Sequence, residues 1–438
     1  MILPLFPEMI NFYRSREVDS AGPSTLGFVL QQLNTLKRQV SQYAVVSPRF
    51  DTILLGGMVG SLFSFLQFIA SPIIGKMSDS KGRRYTLLAT MWGNILSTFI
   101  WVFASSFSTF LLARVVGGLS EGNVQLSIAI MSDVTSDANR SKALALVGIA
   151  FSVGFTVGPA IGAFMTRYNA SGISVGGGVF NPFSVAAGLC LLLLVVETIF
   201  LYAYLPETNV VKDKKETPGA TTELKNLAVS ADPQVTARRL KNASIAHFAH
   251  LFLFSGMEFS LTFLTFELFS YSAAQNGRLL GFIGIFASLI QGGYIRRKKS
   301  LEPLNDLSLA NQGVTTCLLS FILLAAVTTK RPALLWAGGA CLAFTSATVV
   351  NCLTAYCSKI CDPATRGSQM GQFRSWGQLG RSMGPILICG MYWFLGKTTT
   401  YSVMAVLYAV FFAYFGGVVK GYERTLSNAN KSGAKKVQ

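Results

Sequence analysis

The 438-residue chain is 51% hydrophobic and only 13% charged, with a mean hydropathy of +0.46. A soluble domain carries about a quarter of its residues as Asp, Glu, Lys and Arg, so this composition excludes a water-soluble globule and leaves a membrane protein. The net charge of +17 does not make the chain a nucleic-acid binder. Its 37 Lys and Arg fall almost wholly in predicted loops and tail, where they set topology, and no aromatic-interleaved basic stripe is present.

In chain order, the first ten residues are apolar except for Glu8 and then give way abruptly to polar sequence. At 1.5 Å rise per residue they cover about half the hydrocarbon thickness. They lack the basic start and small-residue cleavage site of a signal peptide, and read as the outer half of a helix 1 truncated at its inner half. A long loop, 11–52, follows. Apolar blocks then predict spans at 53–75, 86–107, 109–131, 142–166, 182–205, 246–270, 277–295, 308–328, 332–357, 370–395 and 399–420. That makes eleven complete spans after the partial helix 1. If the loop after 53–75 is cytoplasmic, that face holds 25 Lys and Arg against 10 on the other, which places the C-terminus in the cytoplasm. The stretch 206–245, rich in charge, Thr, Pro and Ala, reads as a flexible linker. The predicted organisation is therefore an N-terminal bundle at 1–205, a cytoplasmic linker at 206–245, a C-terminal bundle at 246–421 and a cytoplasmic tail at 422–438.

The turn between spans 2 and 3 carries Gly75, Asp79, Gly82, Arg83 and Arg84. Gly75 permits close helix approach and Gly82 a tight turn. Asp79 is placed to meet the positive end of a helix from the other half, with helix 11 the geometric candidate. Arg83 and Arg84 suit acidic groups or lipid phosphates. Together they form a predicted gating motif.

Span 5 holds Gly154, Gly158, Pro159 and Gly162, a small-residue face with a proline that removes one backbone bond. An internal repeat runs through it. Arg140, Gly154, Gly158 and Pro159 recur as Arg366, Gly380, Gly384 and Pro385 at a constant shift of 226 residues. Two equivalent halves joined by a cytoplasmic loop place a solute site between them.

Span 4 aligns Arg114, Gly118, Glu121 and Gln125 on one face, with Arg114 and Glu121 about 10 Å apart by helical rise. Charges inside a span are costly and usually face a cavity or a partner, so these residues are candidates for a substrate or proton pathway, or for a buried ion pair that fixes packing. Glu258 in span 7 is a candidate titrating group, with Arg381 in span 11 as a partner that would oppose its titration. Gln67, Asn94, Asn123 and Asn351 are further polar lining candidates, and Glu197 ranks below the others. His247 and His250 stand at the start of the predicted span 7, where solvated surface residues are expected. The seven Cys read as core residues with no metal-ligand spacing.

With these motifs in hand, the chain resembles a major facilitator: the turn at 75–84 matches the signature G-x-x-x-D-x-x-G-R-R/K at every position. Gly118-Leu-Ser-Glu-Gly-Asn123 and Leu253-Phe-Ser-Gly-Met-Glu258 are similar to the eukaryotic tetracycline-transporter-like branch. The resemblance implies an all-α membrane fold of two six-helix bundles, here with helix 1 partial, and alternating access about a central site. The Gly158-Pro159 pattern resembles the antiporter motif of drug:proton exchangers, and Arg114 the helix-4 arginine of proton-linked members. The expected function is secondary active transport of a small organic solute by proton-coupled antiport, in a monomer embedded in the plasma membrane or a vacuolar or other internal membrane. The alternative is a non-transporting receptor or scaffold. Hydrolase and nucleotide-binding motifs are absent, so neither an enzyme nor a cofactor is expected.

Overall fold

The structure, a computed structural model, describes residues 9, 12–13, 15, 25–41, 50–168, 174–175, 178–179, 183–209, 233–271, 273–295, 297 and 303–435. The chain forms α1 (Thr25–Ser41), α2 (Phe50–Lys81), α3 (Arg83–Val102), α4 (Phe107–Ser120), α5 (Asn123–Val134) and α6 (Asp137–Tyr168). A two-strand hairpin follows, Ser174–Val175 paired antiparallel with Gly178–Val179. The rest is α7 (Ser184–Tyr204), α8 (Pro233–Phe269), α9 (Ala273–Leu289), α10 (Pro303–Ala325), α11 (Ala333–Ile360) and α12 (Arg366–Lys435), with α9 running into a π-turn over Ile290–Ile295. Seven stretches of the described helices are long and apolar enough to cross a membrane by length and composition.

Local chemistry sets the breaks. Ser106 caps α4 by accepting a hydrogen bond from the Thr109 amide at 3.2 Å. Gly396, at φ 71, splits α12 into the predicted helices 11 and 12, a conformation that suits glycine alone. Gly82, at φ 101, is the whole turn between α2 and α3.

Several boundaries differ from the sequence expectations. The signature residues Gly75 to Lys81 are not loop but the last two turns of α2, so only Gly82 lies outside a helix. Span 4 is not continuous: α4 ends at Ser120, Glu121 leaves the helix at ψ 88, and α5 resumes at Asn123. The loop 11–52 contains α1, whose apolar positions Leu26, Val29 and Leu30 pack into a buried cluster with Phe107 and Phe110. Its period-3.6 pattern is clear. At 17 residues, with Gln31, Gln32, Asn34, Lys37 and Arg38 set among the apolar positions, it is an amphipathic helix rather than a span. Helix α8 starts at Pro233, inside the predicted linker, and α12 continues through the predicted tail. The proposed truncation of helix 1 falls mainly on residues outside those described.

The C-terminal half has the larger core, where Met257, Leu264, Cys317, Phe321 and Tyr408 are completely buried. Smaller cores lie at either end of the N-terminal half, around Phe107 and Phe110 and around Met91 and Leu126. Apolar side chains such as Trp92, Ile73, Phe200 and Val410 face outward, as lipid contact requires.

Candidate functional site: a candidate gate beneath an unpaired charge cluster

At the basic end, the face that the Lys and Arg bias assigns to the cytoplasm, the first turn of α12 sits on the last turns of α2. The Asp79 carboxylate accepts the Gly367 amide at 2.8 Å and the Ser368 amide at 2.6 Å. A negative charge is thus seated on the free N–H groups and positive dipole end of α12. The backbones touch so closely that a Cβ on Gly75 would overlap the Gly367 carbonyl, and one on Gly371 would lie 2.5 Å from the Ser71 carbonyl oxygen. Ser375 Oγ donates to the Phe68 carbonyl at 2.7 Å, closing a second crossing.

Arg83, fully buried, joins these parts. Its Nη1 donates to Asp79 Oδ1 and Ser78 Oγ, each at 2.7 Å, and its Nε to Asp133 Oδ2 at 2.9 Å. Asp133 also takes Arg366 Nη1 at 2.7 Å, so one carboxylate on α5 binds an arginine from each half. The repeat reappears as geometry. Arg366 reaches the Ser132 carbonyl and Arg140 reaches the Ser358 carbonyl, both at 3.3 Å, and the two serines are themselves 226 residues apart.

Glu207, just past α7, fastens the α2–α3 turn from outside. It accepts the backbone amides of Arg83 at 2.8 Å, Arg84 at 3.1 Å, Thr208 at 3.0 Å and Asn209 at 2.9 Å. Partial burial pushes its carboxyl upward, but these four N–H donors outweigh it and hold the group below the ordinary carboxylate range. Arg84 turns outward, donating to the Tyr202 carbonyl at 2.7 Å and lying over the Tyr202 ring. It meets protein rather than an acidic group.

Deeper between the halves lie Arg114, Glu121 and Arg374. The Arg114 guanidinium covers the Phe63 ring at 3.9 Å. The Nε atoms of Arg114 and Arg374 are buried with no hydrogen-bond partner. Among the described residues Glu121 closes an ion pair with none of Arg114, Arg374 and Glu197. All three members of the cluster keep some accessible surface while lying deep in the protein. Gln125, expected beside them, is turned to packing and donates to the Ser71 carbonyl at 3.1 Å. Glu258 and Arg381 form a half-buried pair at 3.3 Å, separate from that cluster.

Other predicted positions fall as follows. Asn351 sits where α11 crosses α6 at Gly148, and its amide donates to the Ala347 carbonyl at 3.0 Å. Gln67 and Asn94 are buried, and Asn123 accepts from Thr90 at 3.5 Å. Helix α6 runs unbroken through Gly154, Gly158, Pro159 and Gly162. A Cβ at Gly154 would meet nothing within 4 Å among the described residues, whereas its equivalent Gly380 lies against the Phe248 carbonyl of α8.

The two histidines are corrections. Both are buried, His250 completely, with His250 Nδ1 at 2.7 Å from Tyr408 Oη and His247 stacked on Phe373. Because α8 begins at Pro233, they lie well along the helix rather than at its mouth. Five of the seven Cys are buried.

Two helical halves related by an internal repeat, latched at one end over buried charges, define a polytopic membrane transporter fold. The chain belongs to the Major Facilitator Superfamily, whose family profile matches residues 26–385. It is 34% identical over 382 residues to the Major facilitator superfamily domain-containing protein 10 of Bos taurus, covering 83% of this chain and 79% of that one. To the Homo sapiens protein of the same name it is 32% identical, covering 83% and 78%. The solved human organic anion transporter MFSD10 (TETRAN) superposes with a TM-score of 0.79 at 29% identity, over 94% of each chain. The branch resemblance read from the sequence agrees with these relatives, which are transporters and not enzymes.

Proposed function

We propose that this chain is a secondary active transporter that carries small organic anions by alternating access, with protons as the coupling ion. The observation that carries this reading is the pair Arg114 and Arg374: two partly accessible arginines, one from each half, whose buried Nε donors have no hydrogen-bond partner. Buried arginines left without a hydrogen-bonded partner are costly, and an anion between the halves supplies one. The human relative solved as an organic anion transporter supports the same substrate class.

Within this reading, the gate at Asp79, Arg83, Asp133 and Arg366 holds the basic end shut while the site faces the other side. The two bundles, 1–205 and 246–421, rock about it, joined by the linker, in a chain that acts as a monomer. Antiport, which the pattern at Gly154, Gly158, Pro159 and Gly162 implies, suits a solute that competes with protons, as a cation does. For an anion the charges of the central cluster decide the sign of coupling.

Reconstituted liposomes given radiolabelled benzoate or benzenesulfonate and an imposed pH gradient test the function. Saturable, gradient-dependent flux that Arg374→Gln lowers about tenfold or more is expected. Flux no greater than in protein-free liposomes, with correctly folded protein, sinks the proposal and favours a receptor or scaffold.

A further inference from the structure

Arginines between the helices are held in two ways. Arg83, Arg366 and Arg381 each meet a carboxylate: Arg83 at Asp79 and Asp133, Arg366 at Asp133, Arg381 at Glu258. Arg114 meets a ring. Its guanidinium carbon stands 3.9 Å from the centroid of Phe63 on α2. At that distance the group lies face to face with the ring, because an N–H aimed at the ring would hold the carbon one C–N bond, about 1.3 Å, farther away. The Arg114 Nε is buried without a hydrogen-bond partner, and among the described residues the side chain closes no ion pair.

Two glycines one turn along α4 set this contact. A Cβ at Gly118 would stand 2.9 Å from Leu66 Cβ and 3.1 Å from the Phe63 carbonyl oxygen. One at Gly117 would lie 2.6 Å from Ser97 Oγ and 3.4 Å from Phe63 Cε2. These positions let α2 cross α4 at close range, as small residues do in membrane helices, and the crossing brings Phe63 against Arg114. From α3, Ser97 Oγ donates to the Ala113 carbonyl at 2.7 Å and fixes the turn that carries Arg114. Ring and cation are both seated by contacts to backbone.

We infer that Phe63 is a positioning residue of the anion site: it holds the Arg114 guanidinium by its face and so leaves the N–H edges open to the oxyanion of the substrate. The inference rests on the anion-transport reading above and adds what keeps one of its two arginines ready. An aromatic ring attracts a cation through the negative charge of its face, most strongly where water is excluded. A guanidinium carries its five N–H groups in its own plane, pointing out from the edges. A carboxylate partner takes those donors, as Glu258 takes one from Arg381 at 3.3 Å, and an arriving anion would have to displace it. Phe63 takes none of them. A carboxylate or sulfonate can therefore approach in the plane and accept two parallel N–H groups while the ring stays in contact.

The test is equilibrium binding of radiolabelled benzenesulfonate to the purified full chain, with the Phe63 ring replaced by partly and then fully fluorinated phenylalanine. Fluorine withdraws negative charge from the ring face and leaves its shape nearly unchanged, so packing alone gives no trend. Affinity is expected to fall stepwise with fluorination, and about tenfold in Phe63→Leu, which has no aromatic face. Methanesulfonate, measured as a competitor, should lose affinity in the same order, since the ring acts through Arg114. A matching thermal melt establishes that each variant is folded. Affinity independent of fluorination overturns the role of Phe63 and leaves the anion site standing. A trend confined to the aromatic probe does the same, because the ring would then touch the substrate itself. No saturable binding by the unaltered protein overturns the anion site and this inference with it.

Discussion

Asp133 and Lys359 hold equivalent places in the two halves, 226 residues apart, and carry opposite charges. Each ends the helix before the repeat arginine, and each pairs with a residue at the start of the helix preceding its own span: Asp133 with Arg83 at 2.9 Å, Lys359 with Asp306 at 2.6 Å. The duplicated architecture has kept the ion pair and inverted its sign. Only the acidic version is left able to take a second arginine from across the gate, so the latch is asymmetric.

The Asp306–Lys359 pair is almost fully enclosed, with side chains 1% and 2% exposed. Breaking so enclosed a pair by removing one partner costs about 3–5 kcal/mol. Asp306→Asn and Lys359→Met are each expected to lower the thermal midpoint sharply. The double replacement by apolar residues should recover most of the loss, because both charges leave the enclosed site together. A double variant no better than the worse single one would show that the pair does not act as a unit.

Gly75→Ala places a methyl group on the Gly367 carbonyl, an overlap between two backbones that no side-chain rotation relieves. The expected result is a protein that folds but closes poorly at the basic end, read as faster thiol labelling of a cysteine introduced at Ser368. Gly417→Ala is the contrast, since a Cβ there meets nothing within 4 Å. That change should leave closure untouched and stabilise the helix by roughly 0.5–1 kcal/mol.

Asp79→Asn keeps the shape of the contact with the start of α12 but removes the charge that faces both its dipole and Arg83. A charge at a helix terminus contributes about 0.3–1 kcal/mol when exposed and up to about 2 kcal/mol when partly buried. Transport is expected to fall at least about tenfold, together with increased labelling at Ser368→Cys. Unchanged flux with a closed basic end would show that the contact is held by packing alone.

The clamp at Glu207 carries its own pH dependence. Its carboxyl is held below the ordinary value near 4.5. The contribution is therefore fully present above that value and is lost as the pH falls through the depressed folded value. Because Glu207 is exposed, the effect is modest. Glu207→Gln should lower the thermal midpoint at pH 7 and leave it nearly unchanged at the acidic end of the range, where the unaltered protein has lost the same charge.

The long apolar helices were legible because twenty-residue apolar blocks have no other stable use, and the contact of Asp79 with a helix start because every role in the signature is local: a glycine for contact, a carboxylate for a helix end, a glycine for a turn. Arg140 and Arg366 were legible as a repeat, though their crossed bonds to Ser358 and Ser132 were not. Asp133 and Glu207 were missed because their partner Arg83 lies 50 and 124 residues away, beyond the reach of any periodicity. The break at Glu121 was hidden because Gly122 reads equally well as a helix-packing residue. The buried histidines were misplaced because the first turns of α8, from Pro233, are polar and carry no hydropathy signal.

Residues 207–209 do more than end α7. Glu207 grips the first amides of α3, and Asn209 Nδ2 donates to the carbonyl of Asp79 at 3.1 Å. The connection between the two halves is thus knotted to the very residues that hold them shut. A pull on the chain at Asn209 meets these hydrogen bonds to the α2–α3 turn before it reaches α7. Tether and bolt are separate stretches of backbone, joined by these hydrogen bonds.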